Sequence, residues 1–336
     1  MRTVLRGSRQ RGVALIMVLI IVALVTIIAT QLITERNLHA RRTSNIILAD
    51  NAWQFALGAE TLAGIALVKS LKNEDTVNLS QAWASEGIVF PIDGGSLSAE
   101  MKDLRSCFNL NGLLVGTNQN ESEEQSPPEE SNEILPGEKV FAELIKLFEF
   151  DAEITPEALA ARLRDWIDDD QKPSGFEGRE DYEYSGYTQP YRTGDSLLGS
   201  STELSTVSGF RPDMVARLLP YVCFIPGITE LVLNINTIAD DQPELLSSFY
   251  DKLDVNAAAS ILSARPENGY DSNSFNSQLP AEAKLHSGAQ IDFTSPYFSV
   301  TAKVALGRAR VNLKSLLKYD KQASDIIVLA RLGIND

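Results

Sequence analysis

The sequence predicts an α+β fold in which a long N-terminal helix packs on an antiparallel sheet and a large all-α domain is inserted between the sheet's first and last strands. Three observations predict it. An apolar run near the N-terminus passes without a break into helix-compatible sequence. Between about residues 139 and 265 the apolar periodicity is helical. After about residue 290 apolar and polar residues alternate with period two, as on a half-buried strand. The 336 residues allow one large domain or two modest ones. Apolar residues at 44% and charged residues at 22% are ordinary globular usage, which excludes wholesale disorder.

Met1 to Gly12 carries four Arg and no acid. From Val13 to Ile33 only Thr26, Thr30 and Gln31 are polar, and no Pro or Gly interrupts. As a helix this run is about 31 Å long, enough to cross the hydrocarbon core of a bilayer. Three readings of this terminus are open. A secretory signal peptide needs a shorter apolar region and a small-x-small cleavage site, followed by mature polar sequence. A plain signal anchor fits the physics, with the Arg-rich end kept in the cytoplasm. Arg36, Arg41 and Arg42 on the other flank weaken that orientation. The third reading is a type IV pilin-like leader, because the junction Arg11-Gly12-Val13 resembles a prepilin peptidase site, where cleavage follows Gly and the new N-terminus is methylated.

The helical pattern does not stop at the end of this run. Ile46, Ala49, Trp53, Ala56, Ala63 and Leu67 recur at helical spacing down to about Leu71, and the polar residues from Asn73 read as a stop. A helix of this length, apolar first and amphipathic second, is the expected shape for a pilin-like fold, whose second half packs on a sheet. A coiled-coil stalk is the alternative, but the stripe lacks the Leu and Ile content of a good seam.

Asp93-Gly94-Gly95 reads as a turn, followed by a strand from Met101 to Leu110. Residues 117–138 hold seven Glu, three Pro and no Lys or Arg, the composition of a disordered acidic loop. Thr155-Pro156-Glu157 is a helix start, with a capping hydroxyl, Pro in the first turn and an acid at the positive end of the dipole. Leu159, Leu163, Trp166 and Ile167 form its apolar face. Leu204 to Phe210 and Met214 to Leu219 suggest two short helices joined by a hairpin. Phe298 to Leu306 and Ala309 to Leu313 alternate around Gly307, with a last strand at Ile326 to Ala330.

Charge narrows the functions. Residues 1–42 hold seven Arg against Glu35 alone, a balance of +6, so the net charge of −15 leaves −21 on the remainder. Such a body repels phosphate backbones and excludes nucleic acid as a partner, whereas it suits a cation. Two His and two Cys leave little material for a zinc site or a His-based triad. His39 sits beside Arg41 and Arg42 just past the apolar run, and His286 has no partner in sequence. Ser315-Leu316-Leu317-Lys318 matches the Ser-x-x-Lys pattern of acyl-serine enzymes without its two companion motifs, and is taken as chance.

Several stretches, in this order, carry a family resemblance: Arg9 to Leu15; Phe108-Asn109-Leu110-Asn111-Gly112-Leu113; Asp165-Trp166-Ile167-Asp168-Asp169-Asp170; Gly178-Arg179-Glu180-Asp181 with Tyr184; Pro190-Tyr191-Arg192; Glu203-Leu204; and Leu233-Asn234-Ile235-Asn236-Thr237. The chain resembles, over essentially its full length, the general secretion pathway protein K family, the large minor pseudopilins of the type II secretion system. The resemblance implies a non-enzymatic subunit with a type IV pilin-like fold. Residues 1–12 would be a prepilin leader cut between Gly12 and Val13, with Val13 then methylated. Residues 13–34 would be the transmembrane part of the helix, 35–114 its second half and the first strands, 115–289 the inserted domain, and 290–336 the C-terminal meander. The chain would sit in the inner membrane with a single pass, the N-terminus cytoplasmic before cleavage and the bulk periplasmic. Its partners would be prepilin peptidase and the H, I and J types of minor pseudopilin, with which it starts and caps the pseudopilus.

Pilins and most pseudopilins carry Glu at the fifth mature position, where this chain has Met17. A carboxylate buried among apolar helices needs a partner, and its usual one is the amino terminus of a neighbouring subunit. A subunit at the filament tip has no such neighbour above it, so Met17 fits a tip position, and so does a bulky inserted domain. The alternative for Met17 is an anchor that never assembles.

The densest acidic cluster is Asp165, Asp168, Asp169, Asp170, Glu177, Glu180, Asp181 and Glu183. It is not an EF-hand, because the glycine position counted from Asp168 is Pro173 and the twelfth is Arg179. Proteins of the K type bind calcium in this domain, and the resemblance makes Asp168, Asp170, Glu180 and Asp181, with backbone carbonyls, the expected Ca2+ ligands. Asp195 stands where the family usually has Asn. A solvated acidic loop is the alternative. Cys107 and Cys223 would lie in the periplasm, where disulfides persist, so a bond between them is expected, with two buried thiols as the alternative. The rival to the whole reading is a signal-anchored periplasmic calcium-binding protein or enzyme unrelated to pili.

Overall fold

The computed structural model describes residues 11–85, 88–116, 134–151 and 153–333. Residues 1–10 of the expected leader and the acidic stretch 117–133 therefore lie outside the described residues. The last part of the expected acidic loop is helical instead: α2 begins at Pro136 and buries Glu138, whose carboxylate accepts from the Leu135 N–H at 3.3 Å. Pro at a first helical position and an acid in the first turn explain why this end of the loop folds.

The first element, α1, is a 61-residue helix, Arg11–Leu71. Among the described residues it is the helix long and apolar enough to cross a membrane. Its large apolar side chains from Val13 to Ile33 are 49–64% exposed, so nothing among the described residues covers them. Thr26, Thr30 and Thr34 are accommodated there by donating their hydroxyls to the carbonyls one turn back, at 2.7, 2.7 and 2.9 Å. The second half closes on a sheet. The buried line is Ala52, Ala56, Ala59, Ala63, Leu67 and Leu71. The expected stripe is thus corrected at its start: Ile46, Ala49 and Trp53 are exposed, and the small residues one position over face the sheet. Alanines bring the helix backbone close to the strands, which larger residues would hold away.

The strands and helices follow in chain order. β1 (Val89–Ile92), β2 (Gly95–Asp103) and β3 (Phe108–Asn109) come first. Then come α2 (Pro136–Leu147), α3 (Pro156–Ile167), α4 (Asp181–Ser185) and α5 (Pro212–Leu218). Next are β4 (Val222–Cys223), β5 (Leu231–Asn234), α6 (Pro243–Ser248), β6 (Tyr250–Asp251), α7 (Val255–Ser263) and α8 (Ser272–Asn276). Last are β7 (Lys284–Leu285), β8 (Ala289–Asp292), β9 (Tyr297–Leu306), β10 (Ala309–Asp320) and β11 (Asp325–Gly333). The main sheet has the order β1-β2-β9-β10-β11 and is antiparallel throughout. Gly94 turns β1 into β2 with a φ of +77°, a conformation that glycine alone adopts without strain. β2 and β9 are neighbours in the sheet, running from Gly95 opposite Leu306 to Asp103 opposite Phe298, although the whole inserted body separates them in the chain.

The chain therefore leaves the sheet at Asp103 and returns at Tyr297, not at 114 and 290. The expected strand through Leu110 ends early, because β3 pairs in parallel with β4 inside the body, and β8 pairs with β5. The body is mainly helical with three short two-stranded ladders. The expected helical hairpin is a 3₁₀ turn over Ser201–Thr206 followed by α5. One core fills the body, around Phe108, which stacks on Phe141 at 5.1 Å between ring centroids. Cys107 and Cys223 are joined by a disulfide beside the β3–β4 ladder, with their Cα atoms 5.8 Å apart.

Asp103 holds the two lobes together at the point where β2 ends. It is fully buried, and it accepts from the Arg105 N–H at 2.8 Å, Asn234 Nδ2 at 2.9 Å and Thr237 Oγ1 at 2.6 Å. Between α1 and the sheet, Glu60 accepts two bonds from Arg331 of β11, both 2.8 Å, and one from the Ser315 hydroxyl of β10. Ser315, the serine of the Ser-x-x-Lys match, is thereby committed to a buried structural contact.

The disulfide closes a span of 116 residues, which in the chain-entropy picture is worth about 4–5 kcal/mol. Replacing both cysteines by serine is expected to lower unfolding stability by that order, read from the chemical denaturation midpoint. A loss below about 1 kcal/mol would mean that residual structure already restrains the unfolded chain.

Candidate metal centre

The acidic cluster is assembled at the C-terminal end of α3. Thr155 caps this helix by accepting from the Ala158 N–H at 3.2 Å, and Leu159, Leu163, Trp166 and Ile167 seat it in the body core. That seating carries Asp165 to full burial on the same helix, and the helix stops at Asp168. The following loop folds back under the helix end. The Ser174 N–H donates to Asp165 Oδ1 at 2.9 Å, and Arg162 donates from Nε to the Glu177 carbonyl at 3.0 Å. At Gly178 the loop passes so close that a Cβ would run into Asp165 Oδ2 and the Ser174 backbone. This passage delivers Glu180 to the N-terminal end of α4, with 5% of its surface exposed.

Asp165, Asp168 and Glu180 consequently meet, with one carboxylate oxygen from each lying within 4.8 Å of the others. Asp168 Oδ1 and both Glu180 oxygens are buried without a hydrogen-bond partner among the described residues. Arg164 lies 3.8 Å from the second Asp168 oxygen and 3.4 Å from Glu138. Burial foremost, then repulsion from Asp165, pushes Asp168 up to about 7 and Glu180 up to about 8. Burial raises Asp165 too. Three converging carboxylates, two of them with unsatisfied oxygens, and no His or Cys in the group among the described residues, are the donor set of a hard cation. Bound there, a cation would satisfy the open oxygens and reverse the repulsion.

Two of the four expected ligands, Asp168 and Glu180, are in this group. Asp170 is exposed at its edge, where it accepts from the Lys172 N–H at 2.7 Å, and its charge adds to the shifts of both neighbours. Asp181 points elsewhere: it accepts from the Thr193 N–H at 2.9 Å and its hydroxyl at 2.8 Å, with Arg192 Nε 3.7 Å away. It holds the 190s loop in place. Asp195 Oδ1 lies 2.6 Å from the same Thr193 hydroxyl, whose one proton it shares with Asp181. Asp165 was missed as a ligand, although it stands three residues before Asp168 and so shares a helix face with it.

The N-terminal site residues lie on one continuous helix. Gly12 and Val13 belong to its first turns, and Val13 and Met17 are each 61% exposed.

Two family models, each described as type II secretion system (T2SS), protein K, match residues 106–227 and 233–296. The type II secretion system protein K of Aeromonas hydrophila is 35% identical over 334 residues, which is 97% of this chain and 97% of that protein. The chain belongs to the type II secretion system protein K family. Protein K of Pectobacterium carotovorum subsp. carotovorum is 34% identical over 95% of this chain and 96% of its own. Among solved structures, a chain in the crystal structure of the GspK-GspI-GspJ complex from enterotoxigenic Escherichia coli matches with a TM-score of 0.73 at 26% identity. The match covers 88% of this chain and 100% of that one. The protein K family models span the disulfide, the carboxylate cluster and the rest of the inserted body, and end where β9 begins.

A carboxylic acid whose pKa is raised by folding contributes stability that is complete below its unfolded value and lost as pH rises through the folded one. For Asp168 and Glu180 that window runs from about pH 4 to about pH 8. In a chelator, the melting temperature is therefore expected to fall between about pH 5 and about pH 8. The double variant Asp168→Asn, Glu180→Gln should flatten that part of the profile. An unchanged slope in the double variant would assign the pH dependence to other groups.

Proposed function

We propose that this chain is the minor pseudopilin that stands at the tip of a type II secretion pseudopilus, starting and capping its assembly for export of folded proteins across the outer membrane. The observation that carries the reading is the division of α1. Its first half is an uncovered apolar helix and its second half is closed against a sheet, so the same helix can anchor the subunit in a bilayer and pack against other helices in a filament. The inserted body between β2 and β9 would obstruct stacking if every subunit carried one, which supports an end position. Met17, in place of a Glu that would need a neighbour's amino terminus, supports the same position.

On this reading prepilin peptidase cuts after Gly12, Val13 becomes the methylated N-terminus, and the body lies in the periplasm. The solved relative is found with GspI and GspJ, and we take the H, I and J types of minor pseudopilin as this chain's partners. The chain has no catalytic role; it is raised by growth of the filament beneath it, which pushes exoproteins through an outer-membrane channel. Asp165, Asp168 and Glu180, with Asp170 at the edge and backbone carbonyls, would hold Ca2+, which supplies charge neutralisation and fixes the loop from Asp168 to Glu180.

Two measurements test this. The intact mass of the membrane-extracted protein is expected to lack residues 1–12 and carry one added methyl group when prepilin peptidase is present. An uncut chain would overturn the pilin pathway and favour an anchored periplasmic protein. For the metal, free calcium at about 100 times its dissociation constant stabilises by about 2.7 kcal/mol, or roughly 5–10 °C in melting temperature for a domain of this size. Asp168→Asn with Glu180→Gln should abolish the shift, and a shift that persists would place calcium elsewhere.

A further inference from the structure

Arg164 stands between the metal centre and α2. It lies in the last turn of α3, four residues before Asp168, and its guanidinium faces carboxylates on both sides. Nε is 3.8 Å from Asp168 Oδ2, and Nη1 is 3.4 Å from Glu138 Oε2 on α2. Both distances exceed those of a tight charge-assisted hydrogen bond, about 2.7–2.9 Å, so the guanidinium is closed on neither partner. The side chain is only 12% exposed, and solvent screens its charge little. That charge favours the ionised forms of Asp165, Asp168 and Glu138 together.

Glu138 is held where it is. Its carboxylate accepts from the Leu135 N–H at 3.3 Å in the first turn of α2. That turn is pressed against the 3₁₀ turn Leu110–Leu114: a Cβ on Gly137 would come within 2.0 Å of the Gly112 carbonyl oxygen. Two carboxylates on two packed helices therefore compete for one buried guanidinium, and only one of them belongs to the metal centre.

We propose that Arg164 is the resident counter-charge of the metal centre, and that Glu138, which is not a ligand, sets cation affinity by drawing Arg164 away from Asp168. This rests on the reading of the carboxylate cluster as a Ca2+ site. Without the ion, Arg164 offsets part of the repulsion among the buried carboxylates. With the ion bound, Asp168 is matched by it and the guanidinium passes to Glu138. A fixed positive charge beside the centre repels an incoming cation, so Arg164 stabilises the ion-free fold and holds the affinity down. The sign separates this role from a scaffolding one, because removing a residue that merely shapes the site would weaken binding.

The test is calcium titration calorimetry on the full chain in detergent, with melting temperatures measured in a chelator. Arg164→Met is expected to bind Ca2+ about tenfold more tightly and to melt lower in the chelator, whereas Arg164→Lys, which keeps the charge, should stay near the original affinity. Glu138→Gln should weaken binding about tenfold, because the guanidinium then closes on Asp168. In the Arg164→Met background the same Glu138→Gln change should matter less than about threefold, since Glu138 acts through Arg164. Weaker binding by Arg164→Met, or unchanged or tighter binding by Glu138→Gln, would overturn the proposal. Should Arg164→Met fail to fold, Glu138→Gln decides alone. Asp168→Asn with Glu180→Gln is the control for the centre itself. If the unaltered chain binds no Ca2+, or binding survives in that control, the calcium reading falls and the proposal with it. Binding that the control abolishes but that neither Arg164→Met nor Glu138→Gln moves would overturn the proposal alone.

Discussion

The architecture depends on how closely α1 can approach the sheet. Ala52, Ala56, Ala59 and Ala63 set that distance; Leu97, Ala302, Val304 and Leu313 receive the first three, and Val300 and Leu317 receive Ala63. A seam of small residues is well packed yet weakly specific, since an alanine ridge can slide by one turn at modest cost. Glu60 removes that freedom. Its carboxylate is 6% exposed, and leaving it without Arg331 and Ser315 would strand a charge between helix and sheet. Arg331 and Ser315 favour the ionised form, Arg331 most strongly, and the carboxyl stays below its ordinary pKa despite burial. Packing thus supplies the contact and one ionic cluster supplies its register.

The inserted body is tied to this seam through the strand ends. Asp103 closes β2 with bonds to Arg105, Asn234 and Thr237, and Arg105 in turn reaches Asp292 at 2.9 Å and Glu230 at 3.2 Å. Both places where the chain crosses between lobes are therefore held by buried or half-buried polar networks, whose geometry is stricter than that of an apolar contact. On the proposed reading, a displacement of α1 along its axis would reach the body through these bonds.

Local signals were legible in the sequence where one residue type dictates one conformation. Thr155-Pro156 starts α3, Asp93-Gly94-Gly95 turns the chain, and alternation after Tyr297 marks the last strands. The helical face of α1 was misread at Ile46 and Trp53 because hydrophobicity alone favours large residues, whereas close approach to a sheet favours alanine. The end of β2 was hidden because Phe108-Asn109 has strand character and spends it on β4, more than a hundred residues away, a pairing no local pattern encodes. At the acidic cluster, charge density identified the region, and the expected set included Asp168 and Glu180 but left out Asp165 and took in Asp181. Asp181 resembles Glu180 in sequence, and only the passage at Gly178 decides that Glu180 turns inward to Asp165 while Asp181 turns to Thr193.

The carboxylate cluster and the disulfide bear on when the body can become fully folded. Asp165, Asp168 and Glu180 are brought together by apolar packing of α3, so their repulsion is a cost of the same contacts that form the core. Below pH 7 protonation relieves part of that cost, and above it a cation is the available relief. The calcium proposed for this site is plentiful outside cells and scarce in the cytosol, and a disulfide such as Cys107–Cys223 persists under oxidising conditions. Both requirements are met on the far side of the membrane that the apolar half of α1 is proposed to cross. The body would then complete its core only after translocation, with α1 already in the bilayer.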